Sequence, residues 1–232
     1  MDRNQVMGSH VRDGFEVVER SSLSNQAYQQ IRKALMVGEL KPGQKLSGRE
    51  IAVWLGTSLT PVREALLQLV AEGVLEARTG QSIIVPHPTR AAFGELREIR
   101  VEVEGLAAAR AAAYISTAAI ADLAAMHDRL MQAKKARDCG AALRSNEAFH
   151  LGLVRESGMP RLFRVVESLW AQSGPFLTLL SNGPENWSVS DEPNCHLEVL
   201  DALRRRDAVA ARAAIVEDIV GGGAELMTRL PD

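Results

Sequence analysis

Apolar residues at the start of the chain recur at helical spacing. Ala27, Ile31 and Leu35 mark one face of a segment over residues 24–37, and Gly38 follows it. Glycine tolerates the left-handed backbone that commonly ends a helix. The pattern therefore predicts a first helix with Gly38 as its C-cap.

A second short helix is predicted directly before a turn at Gly56. Ser47 followed by Glu50 has the spacing of a capping box, in which each residue satisfies an amide at the helix start. Ile51, Ala52 and Leu55 continue the helix on one face.

The next segment predicts a third helix that begins with Thr60 as N-cap and Pro61 in the first turn. Its inward positions are Val62, Leu66, Leu69 and Val70, and its outward positions are Thr60, Arg63, Glu64 and Gln68. Residues 74–78 and 82–85 then read as two strands around Thr79-Gly80. Helix, turn, helix and hairpin in this order describe a winged helix-turn-helix, which places its second motif helix in the major groove of DNA.

This geometry selects the residues that would contact DNA. Basic and small polar side chains near the start of the motif helices and at the wing tip reach phosphates or base edges. The candidates are Lys45, Arg49, Ser58, Thr60, Arg63, Arg78, Thr79 and Gly80. Tyr28 and Arg32 on the first helix are weaker candidates, because an arginine on a helix surface is more often simply solvated.

After residue 89 the pattern is helical to the end of the chain. Residues 90–114 place Phe93, Leu96, Ile99, Val103 and Leu106 at a spacing of 3.6, which predicts that they face inward. Further helices are predicted at 117–137, 140–157, 160–180, 192–204 and 207–229, with one long loop at 181–193 that is expected to cross the rim of the bundle. Gly221-Gly222-Gly223 predicts a kink or early end in the last helix. The fold class is therefore mainly α: an N-terminal winged helix-turn-helix and a C-terminal all-α antiparallel bundle.

Four segments follow from these patterns. They are a flexible tail at 1–20, a DNA-binding domain at 21–86, a linker at 87–89 and a helical domain at 90–232. Residues 21–88 hold 7 Lys and Arg against 5 Asp and Glu, a net of +2, whereas residues 89–232 hold 17 against 20, a net of −3. The basic surplus therefore lies in the segment that would contact DNA.

The sequence also indicates the cellular compartment in which the protein is expected. No apolar run reaches the roughly 18 residues that a membrane span requires, and no signal-peptide pattern is present. Two cysteines, Cys139 and Cys195, do not form a paired framework, which favours a reducing compartment. We expect a cytoplasmic protein without a membrane partner.

Four residues of the helical region have the spacing of a metal site. Asn146 and His150 stand four apart and share one helix face. His196 and Asp218 are equidistant from residue 207, the predicted turn between the last two helices, so antiparallel packing brings them to the same height. Two imidazoles, a carboxylate and an amide oxygen suit a divalent transition metal, most simply Zn²⁺. Histidines on helices are nevertheless usually surface or hydrogen-bonded core residues, and that alternative stays open from the residues alone.

The segment LSGREIAVWLGTSLTPVREALLQLVAEGVLEARTG resembles the DNA-binding domain of GntR-type transcriptional regulators at almost every signature position. The preceding turn GELKPG fits the same family. Leu59 departs from the pattern, because the family usually carries a DNA-contacting arginine there. The resemblance implies double-stranded operator DNA as a partner.

The segments NEAFHLGLVRESGMPRLF and CHLEVLDALRRRDAVAARAAIVEDI resemble the FCD effector domain of the FadR subgroup. The resemblance places the family's metal ligands, an aspartate and three histidines, on Asn146, His150, His196 and Asp218. Asn146 stands where the family has the aspartate, and Asp218 stands where it has the last histidine. The set therefore still contains one carboxylate, at the last position instead of the first. Met159 also replaces an asparagine of the pattern.

IRVEVEGLAAARAA likewise resembles the helix that carries the family's carboxylate-binding arginine, here Arg100 with Glu104 as its partner acid. Arg100, Asn146, His150, His196 and Asp218 are then the candidate effector-binding residues. An Arg100–Glu104 pair on a helix surface is the plain alternative.

These observations predict a homodimeric repressor whose affinity for its operator is controlled by a small carboxylate metabolite, with or without a bound metal. Two alternatives remain from sequence. One is a metal-dependent enzyme in the helical domain, because two histidines and one carboxylate resemble some catalytic metal sites. The other is a regulator that senses the metal itself.

Overall fold

The N-terminal part folds as three helices and a small sheet. A computed structural model describes residues 23–78, 82–181 and 195–232. The elements are α1 (Leu23–Met36), β1 (Lys45–Leu46), α2 (Gly48–Trp54), α3 (Leu59–Ala71), β2 (Glu76–Arg78) and β3 (Ser82–Ile84). The sheet order is β1-β3-β2, and both pairs are antiparallel. Strand β1 was missed by the sequence patterns, because two residues are too few to show an alternation.

Local capping explains where most of these helices begin and end. The Ser47 side chain accepts a hydrogen bond from the Glu50 amide, as the capping-box spacing predicts. Gly38, Gly56 and Gly73 have positive φ after α1, α2 and α3. The predicted N-cap of α3 is wrong: α3 begins at Leu59, with Ser58 in the extended cap conformation, and Thr60 already lies in the first turn.

The remainder of the described chain is helical. It contains α4 (Arg90–Tyr114), α5 (Thr117–Lys135), α6 (Cys139–Glu156), α7 (Pro160–Ser181), α8 (Cys195–Arg204) and α9 (Ala208–Arg229). Thr89, Ser116, Asp138 and Asp207 each cap a helix with a side-chain oxygen. The predicted fold class, mainly α with a winged helix-turn-helix before a helical bundle, is confirmed. Residues 1–20, Thr79-Gly80 and residues 182–193, where a long loop is predicted, lie outside the described residues.

Two expectations about the bundle are wrong. Ile99 and Leu106 of α4 were predicted to face inward, yet each side chain is 42% exposed. The polar residues Arg100 and Glu104 occupy the buried face instead. Helix α9 also continues through Gly221-Gly222-Gly223 to Arg229, and Gly223 lies against Phe93, where an added Cβ would come within 3.3 Å of the ring.

The two parts share a packed interface. Ala171 of α7 belongs to the core cluster of the winged helix, together with Leu35 of α1. Met36, the last residue of α1, belongs in turn to a bundle cluster that contains Trp170. The end of α1 therefore lies directly on α7.

Candidate DNA-binding surface and candidate effector pocket

The outer face of the winged helix presents the predicted DNA-contacting side chains to solvent. Lys45, Arg49, Ser58, Thr60, Arg63 and Arg78 are all exposed. Inward positions of α3, among them Val62, Leu66 and Leu69, are at most 3% exposed, whereas Val70 is only partly buried. Leu59 is 43% exposed and reaches back to α2, where an added Cβ on Gly48 would lie 3.1 Å from its Cδ1. Thr79 and Gly80 fall outside the described residues.

Tyr28 and Arg32 do not belong to this surface. Both are buried, and the expectation of solvated or phosphate-contacting side chains is wrong for each. Tyr28 donates to Glu72 Oε2 at 2.6 Å, and Arg32 forms an ion pair with Glu147 of α6. Tyr28 therefore ties α1 to the end of α3 inside the DNA-binding part, and Arg32 joins that part to the bundle.

A cavity of about 140 Å³ lies between α4, α6, α7 and α9, and Leu130 and Lys134 of α5 complete its lining. Its polar lining includes Arg100, Asn146, His150 and Asp218, and Trp170 forms part of its wall. Four of the five predicted effector-binding residues thus line one cavity, and His196 lies directly behind it, against Asp218. The antiparallel packing of α8 and α9 confirms the expected height match, with His196 Nε2 3.5 Å from Asp218 Oδ1.

His150, His196 and Asp218 form a compact set of potential ligands. One ligand atom from each lies within 4.8 Å of the others. His150 Nε2 is 3.0 Å from Asp218 Oδ2. Both ring nitrogens of His196 are buried and have no hydrogen-bond partner among the described residues. A buried polar atom without a partner is costly in a folded protein, and a metal ion would satisfy it.

Glu104 orients two of the candidate residues at once. One of its oxygens accepts from Arg100 Nε at 2.7 Å, and the other lies 2.6 Å from His150 Nδ1. A carboxylate on one imidazole nitrogen leaves the other nitrogen directed at the site, which is the usual arrangement behind a metal-ligating histidine. The Arg100–Glu104 pair is therefore not the surface pair of the plain alternative, since Arg100 is 8% and Glu104 is 1% exposed.

The charges of this cluster follow from the same contacts. Burial opposes ionisation of Glu104, but Arg100 and His150 outweigh it and lower the pKa of Glu104 to about 2. Burial likewise opposes charge on His150, but Glu104 and Asp218 outweigh it and raise its pKa to about 9. Burial dominates at His196 and lowers its pKa to about 3, so that this imidazole is neutral at pH 7.

Aromatic side chains support the pocket from behind. The Arg100 guanidinium lies 4.1 Å from the centre of the Trp170 ring, in a cation–π arrangement. Phe149 stacks on His196 with ring centres 3.7 Å apart. Glu104 holds Arg100 Nε, and no hydrogen bond within the described part of the chain occupies the two terminal nitrogens of Arg100.

His127 of α5 was missed by the sequence patterns. Its ring lies edge-on to His196, with centres 5.6 Å apart, and it is buried. The available signal was the apolar spacing of Leu123, His127 and Leu130, which places a histidine on the inner face of α5. Cys195 lies beside His196 on α8 and is not part of the ligand set.

Comparison with known proteins gives the family. A sequence model described as bacterial regulatory proteins of the gntR family matches residues 23–85, and a model described as the FCD domain matches residues 95–220. The HTH-type transcriptional regulator McbR of Escherichia coli K12 is 33% identical over 205 residues, which cover 88% of this chain and 92% of that protein. The chain belongs to the GntR family, in the subgroup with a C-terminal FCD domain.

Other relatives of this GntR protein agree in architecture. The solved structure of E. coli McbR/YncC superimposes with a TM-score of 0.85 at 31% identity, covering 90% of this chain and 99% of that one. A putative GntR regulator from Rhodococcus sp. RHA1, with a TM-score of 0.71 at 19% identity, shares the fold. A probable D-xylose utilization operon repressor from Paenarthrobacter nicotinovorans is 26% identical over 200 residues, covering 86% of this chain and 87% of that protein.

Membership in the GntR family decides the class of protein. The chain is a DNA-binding transcriptional regulator, and the enzyme alternative is set aside because the matched relatives are regulators. None of the described helices combines the length and apolar character that a membrane span requires.

Proposed function

We propose that this GntR regulator is a repressor whose operator affinity is set by a small carboxylate bound in the cavity between α4, α6, α7 and α9. Arg100 supports the assignment of a carboxylate, because its terminal nitrogens form a planar fork that can grip two carboxylate oxygens. The volume of about 140 Å³ suits a small organic acid rather than a long acyl chain.

A divalent metal is the second part of the proposal. His150, His196 and Asp218 would hold it, with the Asn146 side chain as a further neutral ligand. The residues fit such an ion because the two buried nitrogens of His196 make no hydrogen bond among the described residues and Glu104 already orients His150. The ion would act as a Lewis acid that fixes the carboxylate of the effector. The buried imidazole of His196, which lies beside Asp218 without a hydrogen bond among the described residues, is the observation that carries this proposal.

A thermal-unfolding screen tests the pocket. Wild-type protein is melted with acetate, succinate and citrate, each with and without Zn²⁺. A ligand present at 100 times its dissociation constant stabilises by about 2.7 kcal/mol, which is easily measured. Arg100→Leu should lose the response to the acid, whereas Arg110→Leu, an exposed arginine on the same helix, should keep it. A response to Zn²⁺ without any acid effect would identify the metal itself as the signal.

Operator recognition is assigned to the exposed face of α3 and its neighbours. Lys45, Arg49, Ser58, Thr60, Arg63 and Arg78, with Thr79 and Gly80 of the wing, would contact the duplex. Arg63→Ala should weaken operator binding at least tenfold, since a base contact by arginine contributes about 1–3 kcal/mol. The exposed Arg164 of α7 provides the control, because Arg164→Ala removes a surface charge from the helical bundle and not from the winged helix. Equal affinities of the two variants would show that α3 does not enter the groove as proposed.

A homodimer would present two such helices to palindromic half-sites. Ile99 and Leu106 support the assignment of α4 to the dimer contact, because they are exposed, apolar and two helical turns apart. Leu106→Glu should reduce the mass measured by light scattering from that of a dimer to that of a monomer. A monomeric wild type would contradict this part of the proposal.

A further inference from the structure

Helix α7 contacts the pocket and the recognition helix with neighbouring residues. Trp170 lines the cavity and lies under Arg100. Gln172, two residues later, points about 200° further around the helix. Its Nε2 donates to the backbone oxygen of Glu72 at 2.9 Å. Glu72 is the C-cap residue of α3, so one helix face touches the candidate ligand site while the other holds the end of the recognition helix.

Helix α6 repeats this arrangement. Asn146 lines the cavity, and the next residue, Glu147, forms the ion pair with Arg32 of α1. The two paired side chains are 13% and 10% exposed respectively. A buried ion pair resists separation, because removal of either partner leaves an uncompensated charge away from water. The pair therefore provides a direct connection between α6 and α1.

Contacts inside the DNA-binding part connect the Gln172–Glu72 hydrogen bond with the Arg32–Glu147 ion pair. Glu72 accepts from Tyr28 of α1 through one carboxylate oxygen and from Gln68 of α3 through the other. Glu72 therefore ties α1 to the end of α3 at the same residue that Gln172 contacts. The backbone of α1 also approaches α7 closely at Gly174, where an added Cβ would lie 3.3 Å from atoms of Leu35 and Met36.

We infer that Gln172 and the Arg32–Glu147 pair are the positioning residues through which pocket occupancy changes the orientation of the recognition helix. The inference rests on the proposed ligand response. A group bound against Asn146 and Trp170 displaces α6 and α7, and the two interface contacts carry that displacement to α1 and to the C-terminal end of α3. Coupling of this kind requires that the two states of the bundle differ in their affinity for the ligand.

The experiment compares operator affinity with and without a defined probe. A duplex operator is first selected from a random library with wild-type protein, and dissociation constants are measured by fluorescence anisotropy. The probes are Zn²⁺ alone and Zn²⁺ with acetate, succinate or citrate, each against a chelated control. The proteins are wild type, Gln172→Ala, Arg32→Glu, the charge-swapped double variant Arg32→Glu/Glu147→Arg, and Arg164→Ala as a matched surface control. Affinity for Zn²⁺ and the melting transition are recorded for each.

Wild type and Arg164→Ala should change operator affinity by about 5- to 150-fold on saturation with the effective probe. Gln172→Ala should reduce that ratio below about 2-fold while its Zn²⁺ affinity stays within about 3-fold of wild type, a separation that a general loss of structure would not produce. Arg32→Glu should also lose the change in operator affinity on probe binding. The double variant Arg32→Glu/Glu147→Arg should recover a large part of that change.

The opposite result is that Gln172→Ala melts as wild type does, binds the probe and shows the wild-type change in operator affinity. That result would overturn the inference and leave the proposed function standing. A charge swap that folds and binds the probe without any recovery would also count against it. A wild type whose operator affinity ignores every probe would refute the ligand response, and this inference would fail with it.

Discussion

His150 and Glu104 form a buried pair in which Nδ1 lies 2.6 Å from Oε2, with His150 on the wall of the candidate effector pocket and Glu104 behind it. Neither residue would hold its charge alone at that depth, because burial penalises both ions. The cations Arg100 and His150 keep Glu104 ionised. His150 in turn lies between the carboxylates of Glu104 and Asp218, which keep it protonated. The pair thereby determines which His150 nitrogen faces Asp218 and the cavity.

The first prediction concerns the pH dependence of the metal-free protein. The raised pKa of His150 stabilises the fold below pH 6.5, and this contribution is lost as the pH rises toward about 9. The depressed pKa of His196 acts in the opposite direction, so that stability is lost as the pH falls from 6.5 toward about 3, and Glu104 adds to this loss below about 4.5. Chemical unfolding in the presence of a chelator should therefore show greatest stability near pH 6.5. A free energy of unfolding that rises steadily from pH 6.5 to 9 would contradict the assignment.

The second prediction concerns proton release on metal binding. At pH 7 His150 carries a proton in the metal-free state, whereas a ligating nitrogen must be unprotonated. Binding of Zn²⁺ should therefore release roughly one proton. Calorimetric titrations in two buffers of different ionisation enthalpy measure this number directly. Zn²⁺ binding with no buffer dependence would show that His150 is not a ligand.

The third prediction concerns the two positions where the ligand set departs from the family pattern. Asn146→Asp replaces an amide oxygen by an anionic one and should strengthen Zn²⁺ binding, by about 10-fold or more. Asp218→Ala removes the single carboxylate of the set and should weaken binding by at least that factor, since ligand charge is a main determinant of affinity. Competition with a chromophoric chelator measures both. Asp201→Ala, at an exposed position of α8, is the control and should leave the affinity unchanged.

The fourth prediction compares two helical glycines. Gly174→Ala places a methyl group 3.3 Å from the α1 backbone, which cannot move without disturbing the interface, and should destabilise the protein by about 1–3 kcal/mol. Gly221→Ala of α9 meets nothing within 4 Å and should stabilise it by about 0.5–1 kcal/mol through helix propensity. Thermal unfolding of the two variants should give shifts of opposite sign. Stabilisation by both would mean that α1 and α7 are not in close contact.

The fifth prediction concerns Glu104 itself. Glu104→Gln keeps the size of the side chain but removes the charge that supports both Arg100 and His150. It should cost about 3–5 kcal/mol of stability, because two buried cations lose their main partner. The variant should also lose the decline in stability above pH 6.5, which provides a readout separate from simple destabilisation.

Helix positions were accessible from the sequence because the signals that create them are local. The residues that begin α4, α5, α6 and α9 accept hydrogen bonds from amides three positions later, and glycines with positive φ follow α1, α2 and α3. The convergence of His196 on Asp218 was also predictable, since antiparallel packing about residue 207 sets their heights. Helix ends depend on residues that are neighbours along the chain. The approach of His196 to Asp218 depends only on the single turn between α8 and α9.

The face that each helix buries was decided only by the tertiary structure. The apolar spacing of α4 predicted that Ile99 and Leu106 would face inward, but α6, α7 and α9 instead cover the face that carries Arg100 and Glu104. Arg32 has the pattern of a surface arginine, and it is buried because α6 supplies Glu147, 115 positions further along the chain. His127 likewise lies beside His196 only because distant parts of the chain pack together. Local hydrogen bonding determines where helices start and stop, whereas the burial of a charge depends on a partner that distant parts of the chain must bring to it.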